Sequence, residues 1–184
     1  MTPSSELGLD EREGLPDALR VLLAEFPRLT WAEHPNFGDL TKFWLSRHAM
    51  FRELMDILQD NTRGFLDGKS APEALQRQVH RYGYALLAGL HEHHGVEDHH
   101  YFPLMRMQDA RLARGFDLLD ADHQALDTWL ADLSETAQPV LNGATPDTAG
   151  KLLATLDTLA PLLHRHLEDE EDLIVPVILK TGMR

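Results

Sequence analysis

Two stretches of this chain carry the same spacing of side chains able to bind a metal ion. His93-x3-Glu97-x5-Pro103 lies in HHGVEDHHYFP, and His166-x3-Glu170-x5-Pro176 lies in HLEDEEDLIVP. Residues four apart on a helix share one face, so each copy aims an imidazole and a carboxylate at a common point. A second copy further along the chain provides a second helix that does the same from across a bundle. Imidazole nitrogen and carboxylate oxygen together suit iron or manganese, and a carboxylate can bridge two ions.

The elements that must hold these residues are helical. A short helix is expected near Pro16–Phe26, and PRLTWAEHPNFG reads as a connection. Four longer helices follow. Helix A spans about Gly38–Phe65 and helix B about Pro72–Met105. Helix C spans about Ala110–Ala137 and helix D about Pro146–Leu179. AQPVLNGATPD reads as the loop between the last two. Pro161 should kink helix D, and Pro103 and Pro176 should bend or end their helices just beyond the two motifs. No strand is expected. Long amphipathic helices with short connections predict an all-α, up-down-up-down four-helix bundle over residues 37–180. Residues 1–36 form an N-terminal extension, expected to cap an end of the bundle.

Each helix carries one apolar stripe, and every stripe is interrupted by polar residues. Helix A reads Leu40, Trp44, His48, Phe51, Met55, Leu58. Helix B reads Val79, Gly83, Leu86, Leu90, His93, Glu97, Tyr101, Leu104. Helix C reads Leu112, Phe116, Leu119, His123, Leu126, Leu130, Leu133. Helix D reads Leu152, Leu156, Leu159, Leu163, His166, Glu170, Leu173, Val177. The pattern therefore points His48, His93, Glu97, His123, His166 and Glu170 into the core. An unpartnered buried polar group costs roughly 2–7 kcal/mol, and an ionised carboxylate more. Six of them would consume the net stability of an ordinary domain, about 5–15 kcal/mol, unless they pair or bind metal. Four His and two Glu are too many for one tetrahedral zinc and suit two ions.

A single histidine on an apolar face is usually a satisfied core residue, and one His-x3-Glu pair is common on solvated faces. The argument rests on the whole set: two equal motifs on stripes, with single histidines on the other two helices. His91, His94, His99 and His100 lie off the stripe and read as surface residues or as supports for ligands. Asp98, Asp169 and Glu171 read as solvated, with the alternative that one of them orients a ligand imidazole.

Composition narrows the function classes. The formal net charge is −13, which argues against nucleic acid or an anionic membrane as partner. There is no cysteine, which excludes disulfides, thiolate metal sites, iron–sulfur clusters and cysteine nucleophiles. No stretch approaches the ~20 apolar residues of a membrane span. The N-terminus lacks a basic, then apolar, leader pattern, so a cytoplasmic location is expected.

In these residues the chain resembles the hemerythrin-like (HHE cation-binding) family. The resemblance is carried by RHAMFREL with His48, HHGVEDHHYFP with His93 and Glu97, DHQAL with His123, and HRHLEDEEDLIVP with His166 and Glu170. It implies an up-down-up-down bundle around a non-haem di-iron centre, with manganese or zinc as the alternatives. Glu97 and Glu170 would bridge the two ions. His48 and His93 would bind one iron, and His123 and His166 the other. Oxygen-carrying relatives place two histidines four apart on helix C, whereas His123 here has Leu119 before it and Asp127 after it. Either Asp127 is a further ligand or one iron keeps an open or water-filled position. That departure argues against simple reversible oxygen carriage.

Three function classes follow. The first is a binding protein that senses, buffers or carries iron, oxygen or nitric oxide. The second is a di-iron enzyme: an oxidase, a peroxidase or a nitric oxide-consuming reductase. The third is a structural bundle that takes up zinc or another metal adventitiously. A small diatomic molecule or peroxide is the expected partner at the metals. Tyr82, Tyr84, Tyr101 and Trp44 could relay electrons, although aromatics at helical spacing usually pack a core.

Overall fold

The computed structural model describes residues 7–184, and every regular element among them is helical. Helix α1 spans Asp39–Leu66. It starts just after Gly38 with Asp39 in its first turn, and its C-terminus is closed by Gly68 at φ 73°. That left-handed position favours glycine. A continuous helical path then runs from Pro72 to Arg106 in five pieces. These are α2 (Pro72–Gln78), a π turn (Val79–Gly83), α3 (Tyr84–Val96), a second π turn (Glu97–Tyr101) and α4 (Phe102–Arg106). Asp109 then accepts the Arg111 N–H at 3.1 Å and caps a single 3-10 turn, Ala110–Leu112, which leads into α5 (Ala113–Asn142). The last helix, α6, spans Pro146–Thr181. None of the helices among the described residues is long and apolar enough to cross a membrane.

Prolines terminate less than the sequence alone predicts. Helix α5 continues through Pro139 to Asn142, where a loop is expected from Ala137 onward. Ala137 and Val140 are buried there, and that packing outweighs the roughly 3 kcal/mol propensity penalty of an interior proline. Helix α6 likewise runs through Pro161 and does not end at Pro176; Ile174 to Leu179, the proline included, are all buried. The expected helix near Pro16–Phe26 reduces to one 3-10 turn, Val21–Ala24. The expected connection after it contains another, Arg28–Glu33.

The chain divides into two compact units. The first comprises the described residues up to His48, Gly95–Gln124 and His164–Arg184; the second comprises Ala49–His94 and Ala125–Leu163. Helices α1, α5 and α6 each contribute a segment to both. In the first unit Leu15 and Leu22 of the N-terminal extension join Trp44, Phe102, Met105, Leu112, Phe116, Leu119, Leu173 and Val177 in one apolar cluster. A neighbouring cluster holds Trp31 against Val175 and Leu179. The Trp31 indole N–H donates to the Phe26 carbonyl at 2.7 Å, so this buried ring is also satisfied. Gly115 allows the extension to approach α5 closely, because a Cβ there would stand 2.9 Å from the Leu19 carbonyl oxygen and 3.0 Å from Leu173. The core of the second unit includes Phe51, Leu58, Leu86, Leu90, Leu126, Leu156 and Leu163.

The stripes of α1, α5 and α6 are buried as the spacing predicts, apart from Leu40 at the start of α1, which is half-buried. Helix B departs at His93, which is half-buried while His94 is buried, and again after Glu97. Phe102 and Met105 are buried in place of Tyr101, which is half-buried, and Leu104, which is exposed. The π turn Glu97–Tyr101 is the cause: its wider turn shifts the inward face by one residue.

Candidate metal centre

Five of the six expected site residues meet in the core of the first unit. Helix α1 brings His48, the second π turn brings Glu97, α5 brings His123, and α6 brings His166 and Glu170. All five are buried, none more than 3% exposed. Their burial follows from position, since each replaces an apolar residue on its stripe. Helix α6 holds His166 and Glu170 one turn apart, with Nε2 to Oε2 at 3.6 Å. The His48 Nε2 approaches the same Glu170 oxygen at 3.3 Å, and the His123 Nε2 lies 3.7 Å from Glu97 Oε2. His48, Glu97 and Glu170 each offer a ligand atom within 4.8 Å of the others, as do His123 and His166. The His123 and His166 rings meet edge to face at 4.9 Å.

The opposite ring nitrogens are held by carboxylates. The His48 Nδ1–H donates to Glu171 Oε1 at 3.0 Å, and the His123 Nδ1–H to Asp98 Oδ1 at 2.7 Å. The His166 Nδ1 faces Asp122 Oδ2 at 3.5 Å. An ionised carboxylate only accepts, so each pairing favours the tautomer with the proton on Nδ1. The Nε2 lone pairs are then directed at the inner carboxylates Glu97 and Glu170. This is how proteins orient metal-binding histidines.

The electrostatics follow from burial. Burial pushes the Glu97 carboxyl well above its ordinary range, and the neighbouring Glu170 charge pushes it further. Burial alone would lower His48, but Glu170 and Glu171 outweigh it and the net shift is upward. His166 is held below its ordinary value, chiefly by burial, with Asp122 and Glu170 opposing. Two adjacent carboxylates in a low-dielectric core repel each other, and imidazole lone pairs add to the negative potential. A multivalent cation relieves both. The separations fit that chemistry: two atoms each about 2.1 Å from one ion stand about 3 Å apart, and the Nε2-to-oxygen separations are 3.3, 3.6 and 3.7 Å. The donor set of nitrogen and oxygen without sulfur suits iron or manganese.

His93 belongs to the second unit, at the end of α3, where it is half-buried with its ring 5.3 Å from Phe51. His94, read from the sequence as a surface or supporting residue, is buried, with its ring 5.9 Å from that of His93. His91, His99 and His100 are exposed, as their position off the stripe predicts. Asp127 is exposed on the α5 segment of the second unit, while Leu119, the other candidate position one turn from His123, is fully buried. Asp169 and Glu171 are buried rather than solvated, and Asp98 and Glu171 both orient imidazoles. Asp122 was not singled out by the spacing. It directly precedes His123, about 100° around the helix, so no stripe position marks it. Of the aromatics, Trp44 packs edge to face on Tyr101 at 4.9 Å, Tyr82 is half-buried and Tyr84 is largely exposed.

No curated protein and no solved structure matches the chain. Residues 39–178 match the hemerythrin HHE cation binding domain, and this segment contains every residue of the buried cluster. With a match over most of its length and a core of converging imidazoles and carboxylates, the chain belongs to the hemerythrin HHE cation-binding family.

Proposed function

We propose that the protein is a hemerythrin-type, non-haem di-iron protein that binds or senses oxygen, nitric oxide or iron. The observation that carries this reading is the pair of buried glutamates, Glu97 and Glu170, set among the Nε2 atoms of His48, His123 and His166. Glu97 and Glu170 are the bridging candidates. His48 and His93 serve one iron, and His123 and His166 serve the other. The inclusion of His93 rests on its spacing: it precedes Glu97 by four residues, as His166 precedes Glu170. The same reading takes the helices as an up-down-up-down bundle. When bound, the irons supply Lewis acidity and reversible one-electron chemistry. The chain's own residues orient the ligands, exclude bulk water from the core and hold the Nδ1 protons away from the metal side.

A second reading, a di-iron oxidase, peroxidase or nitric oxide-consuming enzyme, is favoured by α5. It offers a single imidazole, because Leu119 is apolar and Asp127 points to solvent. The ligand count therefore leaves room for peroxide or a diatomic molecule to bind and react.

The test is metal content per chain on freshly purified protein, by elemental mass spectrometry, beside a His93→Ala/His166→Ala double variant. Two irons per chain, lost in the variant, support the dinuclear site. Zinc at one or fewer per chain, or metal retained in the variant, overturns it in favour of an adventitious metal. A His94→Ala variant in the same series decides whether this buried imidazole adds to the set. Sustained turnover of peroxide or nitric oxide with a reductant then separates the enzyme from the binding protein.

A further inference from the structure

The N-terminal extension lies outside the family match, yet it sends guanidinium groups to the carboxylates that hold the ligand imidazoles. Arg12 is 8% exposed and grips Asp122 with both terminal nitrogens, Nη1 to Oδ1 at 2.9 Å and Nη2 to Oδ2. That same Oδ2 faces His166 Nδ1. The Arg12 Nε–H donates to Asp169 Oδ2 at 2.9 Å, and the other Asp169 oxygen accepts the Leu15 N–H at 2.8 Å. Arg28 repeats the arrangement on the other side. Its Nη1–H donates to Glu171 Oε2 at 2.9 Å, while Glu171 Oε1 takes the His48 Nδ1–H. Arg28 is further fixed by Asp172 at 2.5 Å, by the Glu168 carbonyl at 2.8 Å and by its position over the Trp31 ring at 5.1 Å.

We infer that Arg12 and Arg28 are positioning residues for metal binding, acting through Asp122 on His166 and through Glu171 on His48. The extension is then part of the metal centre's frame, although none of its residues touches a metal. The physical reason is geometric. A carboxylate with rotational freedom can turn away from an imidazole, whereas one gripped by a planar guanidinium is fixed in plane and in distance. Fixing the carboxylate fixes the ring, and the ring's Nε2 then stays aimed at Glu170. Helix α6 alone does not accomplish this, since Glu171 and Asp172 sit beside the ligand face and need a cation in order to be buried there. The inference rests on the metal-binding reading above.

The test uses the full-length chain loaded anaerobically with ferrous iron and measures iron release to a chromogenic chelator. Partners that orient ligand histidines typically change metal affinity by about 10–100-fold, and an effect relayed through one further residue should be smaller. Arg28→Gln should release iron about three- to ten-fold faster than wild type, and Arg28→Lys should recover part of that loss. Arg12→Gln should have a larger effect. Should it fail to fold, because Asp122 and Asp169 lose their buried cation, the Arg28 pair carries the test. Asp109→Ala destabilises the same unit without touching this network, and it should release iron within two-fold of wild type. Release from Arg28→Gln equal to wild type, or an equal acceleration in Asp109→Ala, overturns the inference. A wild-type chain that takes up no iron overturns the metal-binding reading itself, and the inference with it.

Discussion

The sharpest consequence of the buried glutamate pair is that one substitution should move the metal-free and metal-loaded proteins in opposite directions. Glu97 and Glu170 offer oxygens within 4.8 Å of each other. Two unit charges at that distance repel by about 3 kcal/mol at an effective dielectric of about 20. Glu97's raised carboxyl relieves part of this by holding a proton, so Glu97→Gln should stabilise the metal-free protein by about 2 kcal/mol. For a chain of this size that corresponds to a rise in Tm of about 4–8 °C. The sign of the pH dependence follows from Glu97's raised carboxyl. The folded state holds that proton where the unfolded state has released it, so metal-free wild type loses stability as pH rises above the ordinary glutamate range. Glu97→Gln removes this loss, and its advantage over wild type should be larger at pH 8 than at pH 5. With iron bound, the same change deletes an ionised ligand, so iron should protect the variant less than wild type. The assay is a thermal melt of both proteins in chelator and in ferrous iron, at the two pH values. A metal-free variant that melts at or below wild type at pH 8 refutes the claim that these carboxylates repel each other in the core.

Three further substitutions probe how the site is held. Asp98→Asn keeps an acceptor for His123 Nδ1 but removes its charge; iron retained after dialysis against chelator should fall by about ten-fold in apparent affinity, and unchanged retention would separate Asp98 from the centre. Gly115→Ala places a Cβ 2.9 Å from the Leu19 carbonyl oxygen; the extension must shift, costing about 1–3 kcal/mol in a denaturant melt, and a neutral result would mean that the extension does not lie against α5. Asp109→Ala removes the cap on Arg111 and the 3.0 Å ion pair with Lys180; it should cost about 0.5–2 kcal/mol in the same melt, with iron per chain unchanged.

The inner residues were legible because each interrupts an apolar stripe at helical spacing. His48, Glu97, His123, His166 and Glu170 were all expected in the core, and all are buried there. What the spacing could not reveal falls into two kinds. The π turn Glu97–Tyr101 has no residue signature in EDHHY, so the one-residue shift that buries Phe102 and Met105 was invisible. The burial of the outer carboxylates is hidden from the spacing for a different reason. Asp122 and Glu171 sit next to ligands in sequence, about 100° around the helix from them. A stripe argument turns such positions toward solvent. They are buried because the extension covers them, and the extension carries no periodic pattern from which that cover could be read.

That cover also explains how so much negative charge is held in one small core. Asp122, Asp169, Glu171 and Asp172 are each bonded to an arginine from residues 12–28. Glu97 and Glu170 are instead surrounded by imidazole nitrogens and by each other. The two sets need different cations for physical reasons. A guanidinium is planar and fixed in charge, so it can hold a carboxylate in place permanently. An ion that binds and leaves suits carboxylates set among imidazole lone pairs. Placing the arginines on the outer ring and leaving the inner pair to the imidazoles keeps these roles apart. The outer carboxylates keep their arginine partners whether or not metal is bound, and the repulsion between Glu97 and Glu170 favours cation binding.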